Sequence, residues 1–372
     1  MPDKMEVAVK ISATREALSA GLQMVNGVVG ARPTIPVLSN VLLDADGDHL
    51  SLTATDLEIF VRCRVDARVG KSGVTTLPAR RLLSIVRELS AENVEMETDE
   101  KHMTEITSGA AFFKVMGLPV DDFPAPADSS QGNVFTLEAN TLKQMLQRVH
   151  YAASADETRY ILNGCLLSFR GNKLTVVATD GRRLALAEQE QEIPQESETD
   201  IVAPSKTINE LLRTLRDEGA VKITLTKNQA AFEFDNVLVI SKLIEGTYPN
   251  FRQVIPSHCE ERVAVEREML LTAVRRVALM TSEKSSSVRL SFGKNKLKVS
   301  ASSPDAGEAN ESLPVKYTGK EIAVAFNPEF IMEPLRNLAD DEIFFELVDE
   351  LSPGVIKCST PFLYVLMPMR IS

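Results

Sequence analysis

The chain has 372 residues, which is enough for two or three domains at roughly 100–200 residues per domain. Apolar residues make up 44% and charged residues 25%, as in ordinary globular proteins. The sequence contains no run of about 18 uncharged apolar residues, the length that a membrane-spanning helix needs. The net charge of −11, taken alone, argues against a polyanionic partner, because affinity for nucleic acid comes mainly from basic side chains. The first ten residues lack the apolar stretch of a signal peptide, so the cytoplasm is the expected location.

The predicted elements recur three times along the chain. Each copy begins with a short strand and an amphipathic helix, at 6–29, 134–152 and 263–281, whose apolar residues fall at helical spacing. A β-hairpin comes next, at 38–57, 162–182 and 287–306. Thr55-Asp56 matches Thr179-Asp180 with the same neighbours in the same order, so the repeat is about 123 residues long.

A second strand and helix follow each hairpin, at 74–89, 200–215 and 321–338. Prolines mark the predicted helix starts, and two polar residues are candidate N-caps: Pro78, Pro204 and Pro328, with Ser205 and Asn327. Alternating strands then close each copy at 112–119, 238–244 and 362–369. Each copy therefore holds two helices and roughly eight strands.

These patterns predict an α+β fold of three tandem domains, each with two helices on one face of antiparallel sheets. The predicted domains are 1–129, 130–256 and 257–372, joined by polar segments rich in turn formers. An open array of three units leaves sheet edges exposed at both ends. Two chains joined head to tail would close six units and remove those edges.

Charge is unevenly distributed between the predicted helices and the rest of the chain. The six helices sum to +5, and the remaining residues carry −16. If the helices share one face, that face attracts DNA and the opposite face repels it, without any sequence preference. The alternative is that these are ordinary solvated helix faces.

Six motifs carry a resemblance to a known family over nearly the full length of the chain: RPTIPVLSN (32–40), TDLEI (55–59), RYILNG (159–164), ATDGRRLA (178–185), YPNFRQVIP (248–256) and MPMR (367–370). The chain resembles the bacterial β sliding clamps, the β subunits of DNA polymerase III. The resemblance implies DNA-clamp domains arranged as a head-to-tail homodimeric ring around double-stranded DNA, lined by twelve helices. It also implies a non-catalytic protein that a clamp loader opens with ATP.

The resemblance further implies a hydrophobic cleft between the second and third domains. That cleft would take short linear peptides from the replicative DNA polymerase and from repair proteins. The implied cleft residues are Leu162, Thr179, Gly181, Arg182, Arg183, Leu184, Pro249, Val254, Asn327, Phe330, Val365, Met367, Pro368, Met369 and Arg370. Apolar and methionine side chains suit a surface that serves several partners. For Val365 and Met367 the plainer alternative is core packing in the last strand.

DNA contacts are predicted at basic and aromatic residues of the helices and loops: Arg32, Arg80, Arg81, Arg159, Tyr160, Lys206 and Arg213. The alternative for each arginine is an ordinary solvated side chain. For the dimer contact the resemblance suggests Phe113 and Val115 on one chain and Leu279 and Met280 on the other. The sequence departs from the family pattern at Gln253, Phe330 and Pro334, and Pro334 is expected to kink the last helix or end it early.

Two other functional classes remain open from the residues. Asp56 and Asp180 are equivalent by repeat and could serve a metal-dependent nuclease, but Asp-Gly is also a strong turn dipeptide. The net charge favours a peptide-binding scaffold with no role on nucleic acid. No cofactor and no metal are predicted, because the histidines are scattered and Cys63, Cys165, Cys259 and Cys358 form no CxxC pair. The cysteines are expected to be reduced.

Overall fold

The computed structural model describes residues 7–30, 33–125, 132–282 and 286–369. The chain divides into two compact units, Met1–Asn140 with Glu210–Leu243, and Thr141–Asn209 with Ile244–Ser372. The second predicted repeat therefore contributes to both units. Within the described ranges no helix is both long enough and apolar enough to cross a membrane.

Each predicted repeat contributes two of the six α-helices in the described residues. They are α1 (Arg15–Asn26), α2 (Ala79–Glu88), α3 (Ala139–Val149), α4 (Ser205–Thr214), α5 (Arg267–Val277) and α6 (Pro328–Asn337). The helices α3 and α5 are shorter than the sequence predicts, because their last predicted residues form 3₁₀ turns at His150–Ala152 and Ala278–Met280.

The strands follow the predicted order in all three repeats. In the first they are β1 (Val7–Thr14), β2 (Asn40–Asp46), β3 (His49–Thr55), β4 (Ile59–Asp66), β5 (Arg68–Lys71), β6 (Gly73–Pro78), β7 (Asn93–Asp99), β8 (Met103–Ser108) and β9 (Ala111–Met116). In the second they are β10 (Asn133–Glu138), β11 (Gly164–Arg170), β12 (Lys173–Thr179), β13 (Arg183–Glu190), β14 (Thr199–Pro204), β15 (Ala220–Leu225), β16 (Gln229–Phe234) and β17 (Val237–Lys242). In the third they are β18 (Glu261–Glu266), β19 (Val288–Gly293), β20 (Lys296–Ser303), β21 (Gly307–Pro314), β22 (Ile322–Phe326), β23 (Glu342–Leu347), β24 (Gly354–Lys357) and β25 (Phe362–Leu366).

All strand pairs in the described residues are antiparallel, as predicted, and they form two sheets in each unit. The first unit holds sheet 1, in the order β5-β1-β7-β8-β9, and sheet 2, in the order β10-β15-β16-β17-β4-β3-β2-β6. The second unit holds sheet 3, in the order β14-β11-β12-β13-β25-β24-β23-β18, and sheet 4, in the order β21-β20-β19-β22. Sheets 2 and 3 each combine strands from two predicted repeats, which the sequence does not reveal.

The two mixed sheets are joined in the same way. In sheet 2, β17 of the second repeat pairs with β4 of the first, so that Val237 lies opposite Cys63. In sheet 3, β25 of the third repeat pairs with β13 of the second, and Phe362 lies opposite Ala187. The two pairings use equivalent strands in equivalent register, so one rule joins consecutive repeats within each unit.

Helix α1 shows why the predicted spacing produces this packing. Its buried residues are Leu18, Gly21, Leu22 and Val25, which lie on one face of the helix. A side chain at Gly21 would meet a methyl carbon of Val65 at 2.4 Å, so glycine here allows α1 to approach the strands of sheet 2 closely. Thr14 caps the helix by accepting a hydrogen bond from the Ala17 amide.

Pro334 does not end helix α6 early, which corrects one of the two outcomes expected of it. The helix continues to Asn337, three residues beyond the proline. Because proline has no N–H, the carbonyl of Phe330 lacks its helical donor. The Tyr364 hydroxyl donates to this carbonyl at 2.8 Å instead. The side chain of a distant strand thus replaces the missing helical hydrogen bond.

The two predicted N-caps have opposite outcomes, and the expectation about the thiols is confirmed. Asn327 caps α6 as predicted, accepting a hydrogen bond from the Glu329 amide at 2.9 Å. Ser205 is instead the first helical residue of α4, and its hydroxyl is buried without a hydrogen-bond partner. The cysteines are reduced as predicted, with Cys63 and Cys165 buried and the other two half-buried.

Candidate functional site

An apolar cluster in the second unit brings together three of the predicted cleft residues. Its buried members are Leu166, Val177, Leu184, Leu186, Val202, Tyr248 and Val365, and its half-buried members are Ile161, Leu162, Ile244, Phe251, Ile255 and Leu363. Leu184 pairs with Val365 across β13 and β25, and Leu186 pairs with Leu363 two residues further along the same face. We call this set the apolar cluster. Val365 is 1% exposed and belongs to its buried floor.

The turn between β12 and β13 holds the polar residues of the ATDGRR motif. Gly181 has φ +84°, a conformation that favours glycine, and its amide donates to the Thr179 hydroxyl at 3.1 Å. The Thr179 hydroxyl donates to the Arg183 carbonyl at 2.6 Å. Asp180 accepts hydrogen bonds from the amides of Arg182 and Arg183 at 2.9 and 3.1 Å. The turn is thus fixed by its own side chains, and Arg182 is left exposed.

Arg183, a predicted cleft residue, is buried. Only 8% of its side chain is exposed, and its Nε donates to Asp180 Oδ2 at 3.1 Å. Its Nη2 donates to the Tyr151 carbonyl at 2.6 Å, and its Nη1 forms an ion pair with Glu333. A buried guanidinium needs such partners, because an unpaired buried charge is strongly destabilising.

The third repeat supplies the other side of the site. The Phe330 ring is half-buried, and the Arg183 guanidinium carbon lies 4.3 Å from its centre. The Met367 amide donates to the Arg182 carbonyl at 3.0 Å, and the Met369 amide donates to the Ala325 carbonyl at 2.8 Å. These bonds fix the backbone that follows β25 against both repeats of this unit.

The remaining predicted cleft residues differ in exposure. Val254 is 48% exposed and Met367 is 43% exposed, so both offer apolar surface. Pro249 is exposed and Pro368 is half-buried. Arg370 lies outside the described residues. The second unit therefore has exposed apolar side chains among the predicted cleft residues in addition to the buried cluster.

A cavity of about 610 Å³ continues the apolar cluster along the same strands. It is lined by both apolar and polar side chains: Leu186, Glu188, Phe251, Arg252, Ile255, Pro256, Ser257, Lys357, Cys358, Thr360, Pro361, Phe362 and Leu363. Sequence reasoning missed Leu186 and Leu363, although their two-residue spacing from Leu184 and Val365 was a usable signal. It also missed Tyr151, Glu333 and Tyr364, for which no local signal exists.

Burial determines the ionisation of the two tyrosines near Arg183. It raises the pKa of the Tyr364 phenol and also raises the pKa of Tyr151, because a phenolate is poorly solvated there. Both side chains therefore remain neutral near pH 7. Tyr364 can consequently act as a hydrogen-bond donor to Phe330.

The predicted DNA contacts differ in exposure and in the contacts that they make within the chain. Arg81 and Lys206 are exposed on α2 and α4. Tyr160 is 62% exposed, and the neighbouring Arg159 side chain is 55% exposed with an Nη1 that donates to the Asp180 carbonyl at 3.1 Å. Arg32 lies outside the described residues.

Arg213 binds carbonyl groups in the last turn of α1, and Arg80 binds one just beyond it. Arg213 Nη1 donates to the Gln23 carbonyl at 3.0 Å, and its Nη2 contacts the Met24 carbonyl and the Glu210 carboxylate. Arg80 donates to the Val29 carbonyl at 3.0 Å. Arg213 stays a predicted DNA contact, although Glu210 neutralises its charge and its donors cap a helix C-terminus.

The predicted dimer residues are only partly accessible. Phe113 is 36% exposed on the edge strand β9, and Leu279 is 76% exposed. Met280 is half-buried. Val115 is 3% exposed, so its side chain is buried within its own unit, although its backbone lies on the edge strand β9. Sequence reasoning missed Phe112, which is 54% exposed on the same strand.

The two repeat-equivalent aspartates both close the turns in which they lie. Asp56 Oδ1 accepts hydrogen bonds from the amides of Glu58 and Ile59 at 3.0 and 2.9 Å, just as Asp180 accepts from its own turn. Within the described ranges no group of three acidic, histidine or cysteine side chains is placed to hold a metal ion.

Comparison with known proteins gives consecutive matches along the chain. Three family models match, all described as the DNA polymerase III beta subunit: the N-terminal domain at 9–127, the central domain at 136–250 and the C-terminal domain at 252–370. The beta sliding clamp of Chlamydia trachomatis serovar D is 37% identical over 362 residues, covering 97% of this chain and 87% of the relative. That of Escherichia coli K12 is 33% identical, covering 97% and 100%.

Solved structures match equally completely. A sliding clamp from Pseudomonas aeruginosa, bound to griselimycin, superposes with a TM-score of 0.93 at 33% identity, covering 98% of this chain and 100% of that one. The sliding clamp of Bacillus subtilis gives a TM-score of 0.94 at 27% identity, with the same coverage.

Proposed function

The chain belongs to the family of bacterial β sliding clamps, the β subunits of DNA polymerase III, and from this membership we propose that two copies close into a ring around duplex DNA. Members of this family are processivity factors and not catalysts themselves. The proposed ring acts in the cytoplasm, slides without sequence preference, and tethers its partners by short peptides. Its three clamp domains are proposed at 1–129, 130–256 and 257–372.

The observation that carries ring closure is the repeated strand pairing between consecutive repeats. Strands β17 and β25 close the second and third repeats, and each pairs with the equivalent strand of the preceding repeat. Their counterpart in the first repeat is β9, and the counterpart of β4 and β13 in the third is β21. Both β9 and β21 are edge strands of their sheets. Each has unpaired backbone groups that a second copy would satisfy.

Transferring the shared register to the missing junction gives a specific pairing. Phe113 of one copy would lie opposite Ala309 of the other, and Lys114 opposite Glu308. An opposite-charge pair across two antiparallel strands adds to such an interface. Two copies related head to tail form this junction twice and leave neither β9 nor β21 open.

The helices supply the proposed inner surface. Helix α2 carries the exposed residues Arg80, Arg81 and Arg87, and α4 carries the exposed Lys206. Phosphate contacts from such residues attract DNA without reading its sequence. Because the chain as a whole carries −11, this attraction is local to the helices. That arrangement suits a ring that must hold DNA loosely enough to slide.

The proposed peptide site is the surface above the apolar cluster. Val254 and Met367 are its exposed apolar residues, Phe330 is its aromatic wall, and Arg182 is its exposed basic group. An extended peptide with leucine or aromatic side chains would bury them against this surface. The replicative DNA polymerase, repair proteins and a clamp loader are the proposed owners of such peptides.

Retention on DNA of defined topology tests the ring. The protein is loaded by a clamp loader with ATP onto nicked circular plasmid and passed over a gel-filtration column. We expect co-elution with the circle and release after the plasmid is cut once. A linear plasmid with bulky protein blocks at both ends is the matched control, and it should retain the protein. Equal retention on open linear DNA would contradict topological capture.

Paired cysteines test the proposed register. We expect the double variant Phe113→Cys, Ala309→Cys to form a covalent dimer on oxidation. The variant Phe113→Cys, Glu308→Cys should not, since a one-residue shift turns the side chain to the other face of the sheet. Buried Cys63 and Cys165 do not compete in the folded protein. Cross-linking of the shifted pair alone would contradict this register.

A further inference from the structure

Arg183 lies beneath the proposed peptide surface and connects two repeats of the second unit. Its side chain is 8% exposed, and its guanidinium contacts the Asp180 carboxylate, the Tyr151 carbonyl and the Glu333 carboxylate. Asp180 and Tyr151 belong to the second repeat, whereas Glu333 lies on α6 of the third. One buried cation therefore joins the turn after β12 to a helix of the next repeat.

The same guanidinium contacts the face of the Phe330 ring. Its central carbon lies 4.3 Å from the ring centre, a distance at which a planar cation stacks on an aromatic face. The Phe330 carbonyl is bound separately by the Tyr364 hydroxyl at 2.8 Å. The hydrogen bond fixes the backbone of Phe330, and the stacked guanidinium fixes its ring.

A buried guanidinium with these partners is poorly placed to bind a peptide itself. Its Nε, Nη1 and Nη2 atoms already contact acceptors on three residues, and the flat face is covered by Phe330. The exposed cation of the motif is its neighbour Arg182. Adjacent arginines thus have different surroundings, one facing solvent and one holding the wall of the site.

We propose that Arg183 is a positioning residue for peptide recognition: it holds the Phe330 ring and the Asp180–Arg182 turn in the geometry that a partner peptide meets. This inference rests on the proposed peptide site. Preorganisation of this kind raises affinity because the ring and the turn need not be ordered when the peptide binds. Lysine cannot replace the function fully, since an ammonium lacks the planar face and the fork of donors.

Affinity measurements with two peptides test the proposal. The probes are a fluorescein-labelled peptide with leucine and phenylalanine side chains and a single aspartate, and its asparagine analogue. For Arg183→Met we expect about tenfold weaker binding of both peptides, which corresponds to about 1.4 kcal/mol. Arg182→Ala is the matched control, and it should weaken only the aspartate peptide. If the Arg183→Met loss is confined to the aspartate peptide, Arg183 binds the peptide directly and the proposal is wrong.

A spectroscopic readout reports on the ring without any peptide. With 4-fluorophenylalanine at position 330, we expect one narrow ¹⁹F resonance for the native protein. Arg183→Met should shift and broaden it, and Arg183→Lys should give an intermediate spectrum. Unchanged spectra in both variants would overturn the proposal. Failure of the native protein to bind either peptide would instead refute the peptide site, while the ¹⁹F comparison still tests the role of Arg183.

Discussion

The substitution Tyr364→Phe isolates the hydrogen bond that compensates for Pro334. Tyr364 is fully buried, and its hydroxyl donates to the Phe330 carbonyl at 2.8 Å. The substitution removes only this oxygen, so it leaves no cavity larger than a hydroxyl and abolishes the carbonyl's donor. A buried acceptor left without a partner costs about 1–3 kcal/mol, and we expect a loss of that size in the free energy of unfolding.

The matched background is Pro334→Ala, which restores a helical donor to the same carbonyl. In Pro334→Ala the new amide at position 334 can donate to Phe330, so Tyr364→Phe should cost less than about 1 kcal/mol there. The difference between the two costs is the coupling energy of the pair. Any gain in helix stability from replacing the proline is present in Pro334→Ala both with and without Tyr364→Phe, so it cancels from the cost of Tyr364→Phe in that background.

Urea unfolding followed by far-ultraviolet circular dichroism measures all four proteins under the same conditions. The chain contains no tryptophan, so backbone dichroism is the suitable signal. If Tyr364→Phe costs the same amount in the native background and in the Pro334→Ala background, the two groups do not share the Phe330 carbonyl and the reasoning fails.

Three further predictions concern thiols, packing and assembly. Burial raises the pKa of Cys63 to about 11 and the pKa of Cys165 to about 12, from an ordinary 9.0, so the thiols of the unfolded chain ionise first and the free energy of unfolding should fall as pH rises from about 9 toward 12. In the double variant with Cys63→Ala and Cys165→Ala, urea titration at each pH should show a shallower fall, by up to about 1.4 kcal/mol per pH unit for each thiol. Gly117→Ala would place a carbon 2.1 Å from the Thr76 carbonyl oxygen and should lower the thermal midpoint of unfolding by several degrees. Gly30→Ala, whose added carbon would have its nearest atom 3.8 Å away, should change the free energy of unfolding by no more than about 0.5 kcal/mol. Phe113→Asp should raise the dimer dissociation constant at least tenfold in sedimentation experiments, and Val74→Asp, at a comparably exposed strand position, should not; equal effects would refute the β9 interface.

Local patterns in the sequence determined the elements and their triplication. Leu18, Leu22 and Val25 form the buried face of α1 because helical spacing depends only on the residues within the helix. The turn between β11 and β12 is equally local: Gly171 and Asn172 both adopt positive φ, +60° and +54°, which is the geometry that two-residue hairpins favour. The residues that cap α1 and α6, Thr14 and Asn327, also act within one turn of themselves.

The family motifs located the site but not the surroundings of each residue in it. Leu162, Leu184 and Val365 were predicted together and do lie in one apolar cluster. Arg182 and Arg183 are adjacent and chemically identical in the sequence, yet one is exposed and the other is buried. The difference arises because Glu333 and Phe330, about 150 residues away, surround only the second arginine.

Only the tertiary structure decided the partners that come from distant parts of the chain. The sequence could place Pro334 in a helix, but it could not supply Tyr364 as the replacement donor. It predicted three copies of a unit, but not that β17 and β25 would each join the sheet of the preceding copy. Secondary-structure periodicity is set by neighbours along the chain, whereas these contacts depend on which surfaces meet when the repeats pack together.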